Sequence, residues 1–184
     1  MKKTLALLLS LLLLLSASAS FADTPTDGFD PERVAAGVAA LANSQLGNTV
    51  TVEASDTVGM YSVYYQGEYM GGYLYFNHLD REGNAQDEGV CNHAAFLEIF
   101  TYDAGTASSY VAFWLGLSAY LLQYITGTED HNVPATELAD AASEAMKNGG
   151  QYRFSEGDYD IEVTVASSNG TVMMGTSVTV RDLF

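Results

Sequence analysis

Cysteine is nearly absent from this chain, since Cys91 is the only one among its 184 residues. A single thiol cannot form an internal disulfide, so burial of apolar side chains must hold the fold together. Proline and tryptophan are also scarce, with three residues and one residue respectively. Hydrophobic residues make up 48% of the sequence, which is enough for one domain with a sizeable core.

Positive charge is the second scarcity. The chain has 7 basic and 23 acidic residues, which give a formal net charge of −16. Nucleic-acid binding requires a basic surface, so we expect no nucleic-acid partner. A strongly negative field also repels anionic membrane surfaces, whereas it favours basic partners and keeps a protein in solution.

Export is indicated by residues 1–22, which have the pattern of a secretory signal peptide. Lys2 and Lys3 precede an apolar run from Leu5 to Leu15, and small residues follow as far as Ala22. The apolar run is short for an uncleaved membrane anchor. The Lys-Lys-Thr start and the leucine-rich run are typical of bacterial signal peptides. We therefore predict a secreted or extracytoplasmic protein whose mature chain begins with a flexible leader at residues 23–30.

Residues 31–184 are predicted to form a single α+β domain. A helical period begins at Pro31, with Asp30 as N-cap, and ends at Gly47. Period-two alternation predicts strands at 49–53, 58–65, 69–76, 151–154, 159–166 and 171–180. Residues 94–102 fit a strand or a helix, and their alternation favours a strand buried on both faces. Further helices are predicted at 108–126 and at 134–148, the second with Met146 facing inward. Segregated runs of strands and helices indicate an antiparallel sheet packed on two or three helices.

The most apolar segment after the signal peptide is 108–126. No charged residue occurs between Asp103 and Glu129, so a membrane-associated helix is one interpretation. The segment is short for a span, its interior holds Ser118 and Gln123, and both flanks are acidic. We expect a helix buried in a globular core and no integral membrane span.

Tyrosine is abundant, and six of the 12 tyrosines crowd one predicted hairpin at residues 61–75. Tyr69, Tyr73 and Tyr75 share one face of the second strand, where Gly71 and its neighbour predict a bulge or a close backbone approach. Aromatic platforms suit carbohydrate or peptide binding, because flat rings offer apolar area with a polar tip. These three tyrosines are therefore the predicted ligand-binding residues. The alternative is that they only cover the core.

Cys91 and His93 form the one pair that could supply nucleophilic catalysis. Two residues apart on a strand, they would point to the same face, which permits a thiolate–imidazolium pair. The alternative is that Cys91 packs as a small apolar residue and His93 forms local hydrogen bonds.

The predicted polar loop at 78–90 begins like a calcium-binding loop, with Asp80, Glu82 and Asn84 as oxygen ligands at positions 1, 3 and 5. The pattern then fails, because Ala85 stands where a glycine is needed and Cys91 where a bidentate glutamate should close the site. We therefore predict no metal site, and no motif for another cofactor is present.

Acidic residues recur at every second position from Glu156 to Glu162, which predicts one face of carboxylates on a single strand that protects the sheet edge.

The sequence as a whole favours an exported acidic binding or interaction protein over an enzyme, with a glycan, a peptide or a basic protein as partner. The alternatives are a small secreted hydrolase that uses Cys91 and His93, and a membrane-associated protein that uses residues 108–126.

Overall fold

The computed structural model of the protein describes residues 28–86, 89–128, 132–181 and 183. The predicted signal peptide and most of the predicted leader lie outside the described residues. Within them the chain forms, in order, α1 (Pro31–Leu46), β1 (Val50–Ala54), β2 (Met60–Tyr65), β3 (Glu68–Leu79), β4 (Ala85–Gln86), β5 (His93–Thr101), α2 (Ala107–Thr126), α3 (Asn132–Lys147), β6 (Gln151–Glu156), β7 (Tyr159–Ser168) and β8 (Thr171–Val180).

The eight strands form one antiparallel sheet, and the helices pack on it as a second layer. The strand order is β1-β2-β3-β5-β8-β7-β6, and β4 pairs with the far end of β3. Helix α2 lies between α1 and α3 and contacts the two central strands, β5 and β8. The predicted α+β fold, with an antiparallel sheet on helices in a single domain, is confirmed, and the described residues contain three helices.

Local signals explain why the elements begin and end where they do. The Asp30 carboxylate accepts a hydrogen bond from the backbone N–H of Arg33 at 3.2 Å, and α1 ends at Gly47, whose φ is 77°. The β2–β3 turn places Gln66 and Gly67 at φ values of 54° and 81°. Positive φ at both central residues is the geometry of a tight hairpin, so this turn fixes the register of the tyrosine-rich strands.

The two faces of the sheet differ, as alternation along β5 shows. Phe96 and Phe100 point toward α2, where they contact the rings of Phe113 at 6.1 Å and Tyr110 at 4.8 Å. Residues of the opposite phase, such as Ile99, point away from the helices, and Ile99 is 43% exposed. We call this second surface, which runs from Tyr64 on β2 to Ser155 on β6, the open face. The prediction that this strand is buried on both faces is therefore wrong at Ile99, whereas Ala95 on the same phase is buried.

Helix α2 fills the centre of the core, as expected for the apolar segment. Trp114 and Leu117 are each 1% exposed, and the C-terminal half of the helix is buried almost throughout. Among the described residues, no helix combines the length and the apolar character needed to cross a membrane.

Three details of the sequence-based interpretation are corrected. Leu79 and Ala85 pair as β3 meets β4, so the predicted polar loop contains a short strand. Met146 is 66% exposed rather than inward-facing. The carboxylate series is broken by a turn between β6 and β7, which places Glu156 opposite Tyr159 on the helix side of the sheet. Only the two carboxylates of β7, at 160 and 162, share the open face.

Candidate binding face

Three tyrosines form a continuous aromatic cluster on the open face. The rings of Tyr64 and Tyr69 have centroids 5.7 Å apart, and those of Tyr69 and Tyr73 are 5.5 Å apart. Both separations lie in the range of favourable aromatic pairs, and the rings are inclined to each other by about 60°. We call these three residues the tyrosine platform. Its central ring, Tyr69, is 43% exposed, so the platform presents apolar area to solvent.

A β-bulge in β3 creates this arrangement. Val63 pairs with Gly72, but the next residue, Tyr64, pairs with Tyr69, so two residues of β3 are looped out of register. Gly71 lies in this bulge at a φ of 86°, and a Cβ there would sit 2.4 Å from the carbonyl oxygen of Ile99. Only glycine fits this position, and the register shift that it permits brings Tyr69 directly opposite Tyr64.

The central ring of the platform, Tyr69, keeps its phenolic proton over a wide pH range. Burial, followed by a hydrogen bond with Tyr73, raises the pKa of Tyr69 well above the ordinary value for tyrosine. Tyr69 therefore offers a hydroxyl group and a ring face rather than phenolate charge.

The predicted ligand-binding set is thus brought together in part. Tyr69 and Tyr73 are in contact, whereas Tyr75 lies farther along the same face and its hydroxyl accepts a hydrogen bond from Asn77 Nδ2 at 2.9 Å. Tyr64 was absent from the predicted set, although its spacing from Tyr61 puts the two residues on opposite faces of β2. Tyr61 itself faces the core and contacts Phe76 edge-on at 5.7 Å.

A polar groove of about 600 Å³ continues the open face beyond the platform. Its floor carries His93, Ser177 and Thr179, the turn at residues 80–83 forms one wall, and Arg153 lines the opposite side. The groove could not be recognised from the sequence, because it joins segments that lie up to 100 residues apart.

Carboxylates of β7 supply the charge in this groove. Glu162 pairs with Arg153 and accepts a hydrogen bond from Thr164 Oγ1 at 3.2 Å. Asp160 lies 3.0 Å from Arg181 Nε and accepts a hydrogen bond from Ser155 Oγ at 2.7 Å. Glu162 is 23% and Asp160 56% exposed, so both carboxylates can be reached from the groove.

Cys91 and His93 have separate surroundings. The Cys91 thiol lies 3.5 Å from the backbone oxygen of His93, while the His93 ring contacts Thr179 Oγ1 through Nδ1 at 3.0 Å. Burial raises the pKa of Cys91 and lowers that of His93 to about 4. A thiolate–imidazolium pair requires shifts in the opposite directions, so both residues have the surroundings of structural side chains.

The Asp80 turn is stabilised by its own hydrogen bonds. Asp80 Oδ1 accepts from the backbone N–H groups of Glu82 and Asn84 at 3.0 and 2.8 Å, and Oδ2 accepts from Gln86 Nε2 at 2.8 Å. The backbone hydrogen bond from Asn84 is the main reason that the pKa of Asp80 is lowered. In the part of the chain that the structure describes, no three His, Cys, Asp or Glu side chains are placed to hold a metal ion.

One carboxyl is buried on the other side of the sheet. Glu98 is 0% exposed, and neither of its oxygens has a hydrogen-bond partner among the described residues. Burial raises the pKa of Glu98 to about 8. Gly72 lies directly opposite Glu98, and a Cβ at Gly72 would be 2.8 Å from Glu98 Oε2. The bulge glycines thus make room for this carboxyl, which no sequence pattern had indicated.

Comparison of the chain with protein-family models, with curated proteins and with solved structures found no significant match.

Proposed function

We propose that the protein is an exported binding protein whose ligand contacts the open face through the tyrosine platform. The observation that carries this proposal is the contact of Tyr64, Tyr69 and Tyr73 on the sheet face opposite the helices. Aromatic rings of this kind dominate recognition sites, because each ring buries a large apolar area at little cost in conformational entropy.

The placement of the bulge also supports a binding role. Gly71, at positive φ, allows Tyr69 to lie opposite Tyr64, although Tyr69 remains substantially exposed. An exposed ring contributes little to stability, so packing alone gives no account of the arrangement. A ligand that covers the rings of Tyr64 and Tyr69 would account for this arrangement.

The test compares a platform variant with a matched control. Tyr69→Ser together with Tyr73→Ser should weaken binding of a ligand found by screening soluble glycans and peptides by about 100-fold, since each exposed anchor contributes about 1.4 kcal/mol. Tyr102→Ser removes a ring that is 61% exposed and lies outside the platform, and it should leave affinity unchanged.

Two outcomes would contradict the proposal. Equal affinity of the platform variant and its parent would show that the ligand binds elsewhere. A large fall in melting temperature for the platform variant, absent in Tyr102→Ser, would show that the rings serve the core instead.

Export is part of the same proposal and rests on residues 1–22. The intact mass of the secreted protein should correspond to a chain that starts at or near Asp23. Retention of residues 1–22 on the extracytoplasmic form would exclude cleavage.

A further inference from the structure

A row of paired residues joins the polar groove to Tyr75, which lies two residues along β3 from Tyr73 of the tyrosine platform. From β3 to β6, Tyr75 is paired with Ala95, Ala95 with Ser177, Ser177 with Glu162, and Glu162 with Arg153. All five side chains occupy the outward phase of the sheet, so they form one row across the open face. Neighbouring strands are about 4.8 Å apart, which puts Tyr75 and Glu162 roughly 14 Å from each other.

The composition of this surface changes along the row. Tyrosine rings occupy the β2–β3 side, small or hydroxyl-bearing residues such as Ala95 and Ser177 occupy the centre, and carboxylates occupy the β7 side. A ligand that follows the row therefore needs apolar faces at one end, hydroxyl groups in the middle and positive charge at the other end.

We propose that the open face binds an amine-bearing oligosaccharide that crosses the strands from Tyr75, beside the tyrosine platform, to the carboxylates of β7. This inference rests on the proposed function and specifies its ligand class. A pyranose ring has apolar C–H faces that stack on tyrosine, and its hydroxyl groups match Ser177 and Thr179. Each sugar unit advances the chain by about one strand spacing, so a tetrasaccharide reaches from Tyr75 to Glu162.

Charge selects an amine-bearing sugar over a neutral one. The groove is lined by the carboxylates of Asp80, Glu82, Asp160 and Glu162 and by the cations of Arg81 and Arg153, while Arg181 pairs with Asp160. Four carboxylates and three cations leave one net negative charge at this site. The whole chain adds a net charge of −16. A protonated amine that enters the groove thus gains favourable electrostatic interactions, whereas a sulfated or carboxylated sugar is repelled.

A peptide fits this surface less well than a sugar. Extended peptides bind sheets mainly through main-chain hydrogen bonds to an exposed edge strand. The row lies on the face of the sheet, where the backbone groups of β3, β5, β8 and β7 already pair with neighbouring strands. The face offers only side chains, and these are the rings, hydroxyls and carboxylates that a sugar uses.

The experiment uses calorimetry with the secreted protein and four probes at about pH 6, where a sugar amine is protonated. The probes are the β-1,4-linked glucosamine tetramer, its N-acetylated form, the glucose tetramer and the glucosamine dimer. The glucosamine tetramer should bind about tenfold more tightly than both neutral tetramers and the dimer, and raised salt should remove this preference.

Two opposite variants make the charge test specific. Glu162→Gln should reduce affinity for the glucosamine tetramer about tenfold and leave the glucose tetramer unaffected. Arg153→Gln frees Glu162 from its ion pair and should strengthen binding of the glucosamine tetramer. A merely structural role of Glu162 would not produce opposite changes in these two variants.

Three kinds of result would overturn the inference. Equal affinity for the charged and neutral tetramers would refute recognition of the amine. Equal affinity for the dimer and the tetramer would refute the claim that the ligand spans the strands. A lysine-containing tetrapeptide that binds more tightly than the sugars, or no binding of any probe, refutes the ligand class. The proposed function fails separately, when affinity is unchanged in the Tyr69→Ser, Tyr73→Ser variant.

Discussion

Replacing Glu98 by glutamine should remove a large part of the pH dependence of stability. Glu98 is fully buried without a hydrogen-bond partner among the described residues, and burial raises its pKa from 4.5 to about 8. The folded state therefore keeps the proton on Glu98 at a pH where the unfolded state has lost it. The resulting stability is complete below pH 4.5 and is lost progressively as the pH rises to about 8.

The size of the change in the free energy of unfolding follows from the pKa shift of Glu98. One pKa unit corresponds to 1.36 kcal/mol, so the shift of Glu98 amounts to about 5 kcal/mol across the whole interval. His93 acts in the opposite sense, because burial lowers its pKa from 6.5 to about 4 and its stabilising effect is lost as the pH falls through that range. The two effects largely cancel below pH 6.5, whereas of these two groups Glu98 alone acts between pH 6.5 and 8. The free energy of unfolding should therefore fall by about 2 kcal/mol over that upper interval.

Urea unfolding at a series of pH values tests this reasoning. Trp114 is the only tryptophan and is 1% exposed, so its fluorescence reports loss of the core. For Glu98→Gln, stability should rise by about 3 kcal/mol between pH 4 and 6.5, because His93 then acts alone, and should stay level above that. Glu53→Gln, an exposed change on β1, should keep the profile of the parent. Parallel profiles for the parent and Glu98→Gln would refute the assignment of a shifted pKa to Glu98.

Two further changes test the bulge and the thiol. Gly71→Ala should cost about 2–5 kcal/mol in urea unfolding, since it adds a residue at positive φ and a clash with a backbone oxygen. Gly67→Ala has a similar φ but nothing within 4 Å, so it should cost only about 1–2 kcal/mol, and equal costs would exclude the clash. Cys91 should react with iodoacetamide at least about tenfold more slowly in the folded protein than in urea, because the thiol is half-buried and its pKa is raised. Equally fast alkylation would show a reactive site.

Local signals allowed much of the fold to be predicted. Turn residues with positive φ, such as Gly67 and Gly170, and a change of period from 3.6 to 2 mark element ends without reference to the rest of the chain. The strand predicted at 171–180 has the observed bounds, and α1 begins at Pro31 as predicted. The errors arose where two local signals overlapped, as at Glu156, where alternation continued through a hairpin turn.

The candidate site was predictable only in part. Alternation placed Tyr69 and Tyr73 on one face, since period two follows from the backbone alone. It did not give the two-residue register shift that brings Tyr64 opposite Tyr69, because a register is decided by the pairing of two strands.

The sequence by itself determined the positions of the helices and of most strands, the negative charge, and the phase of the tyrosines, because each depends on neighbouring residues. The tertiary structure decided which face the helices cover. With α2 packed on Phe96 and Phe100, the opposite phase of every central strand is left outward. That choice buries Glu98 without a partner, exposes the platform, and joins β7 to the turn at residues 80–83 in one groove. These contacts connect residues distant in sequence, and their geometry depends on strand order, which short-range patterns do not encode.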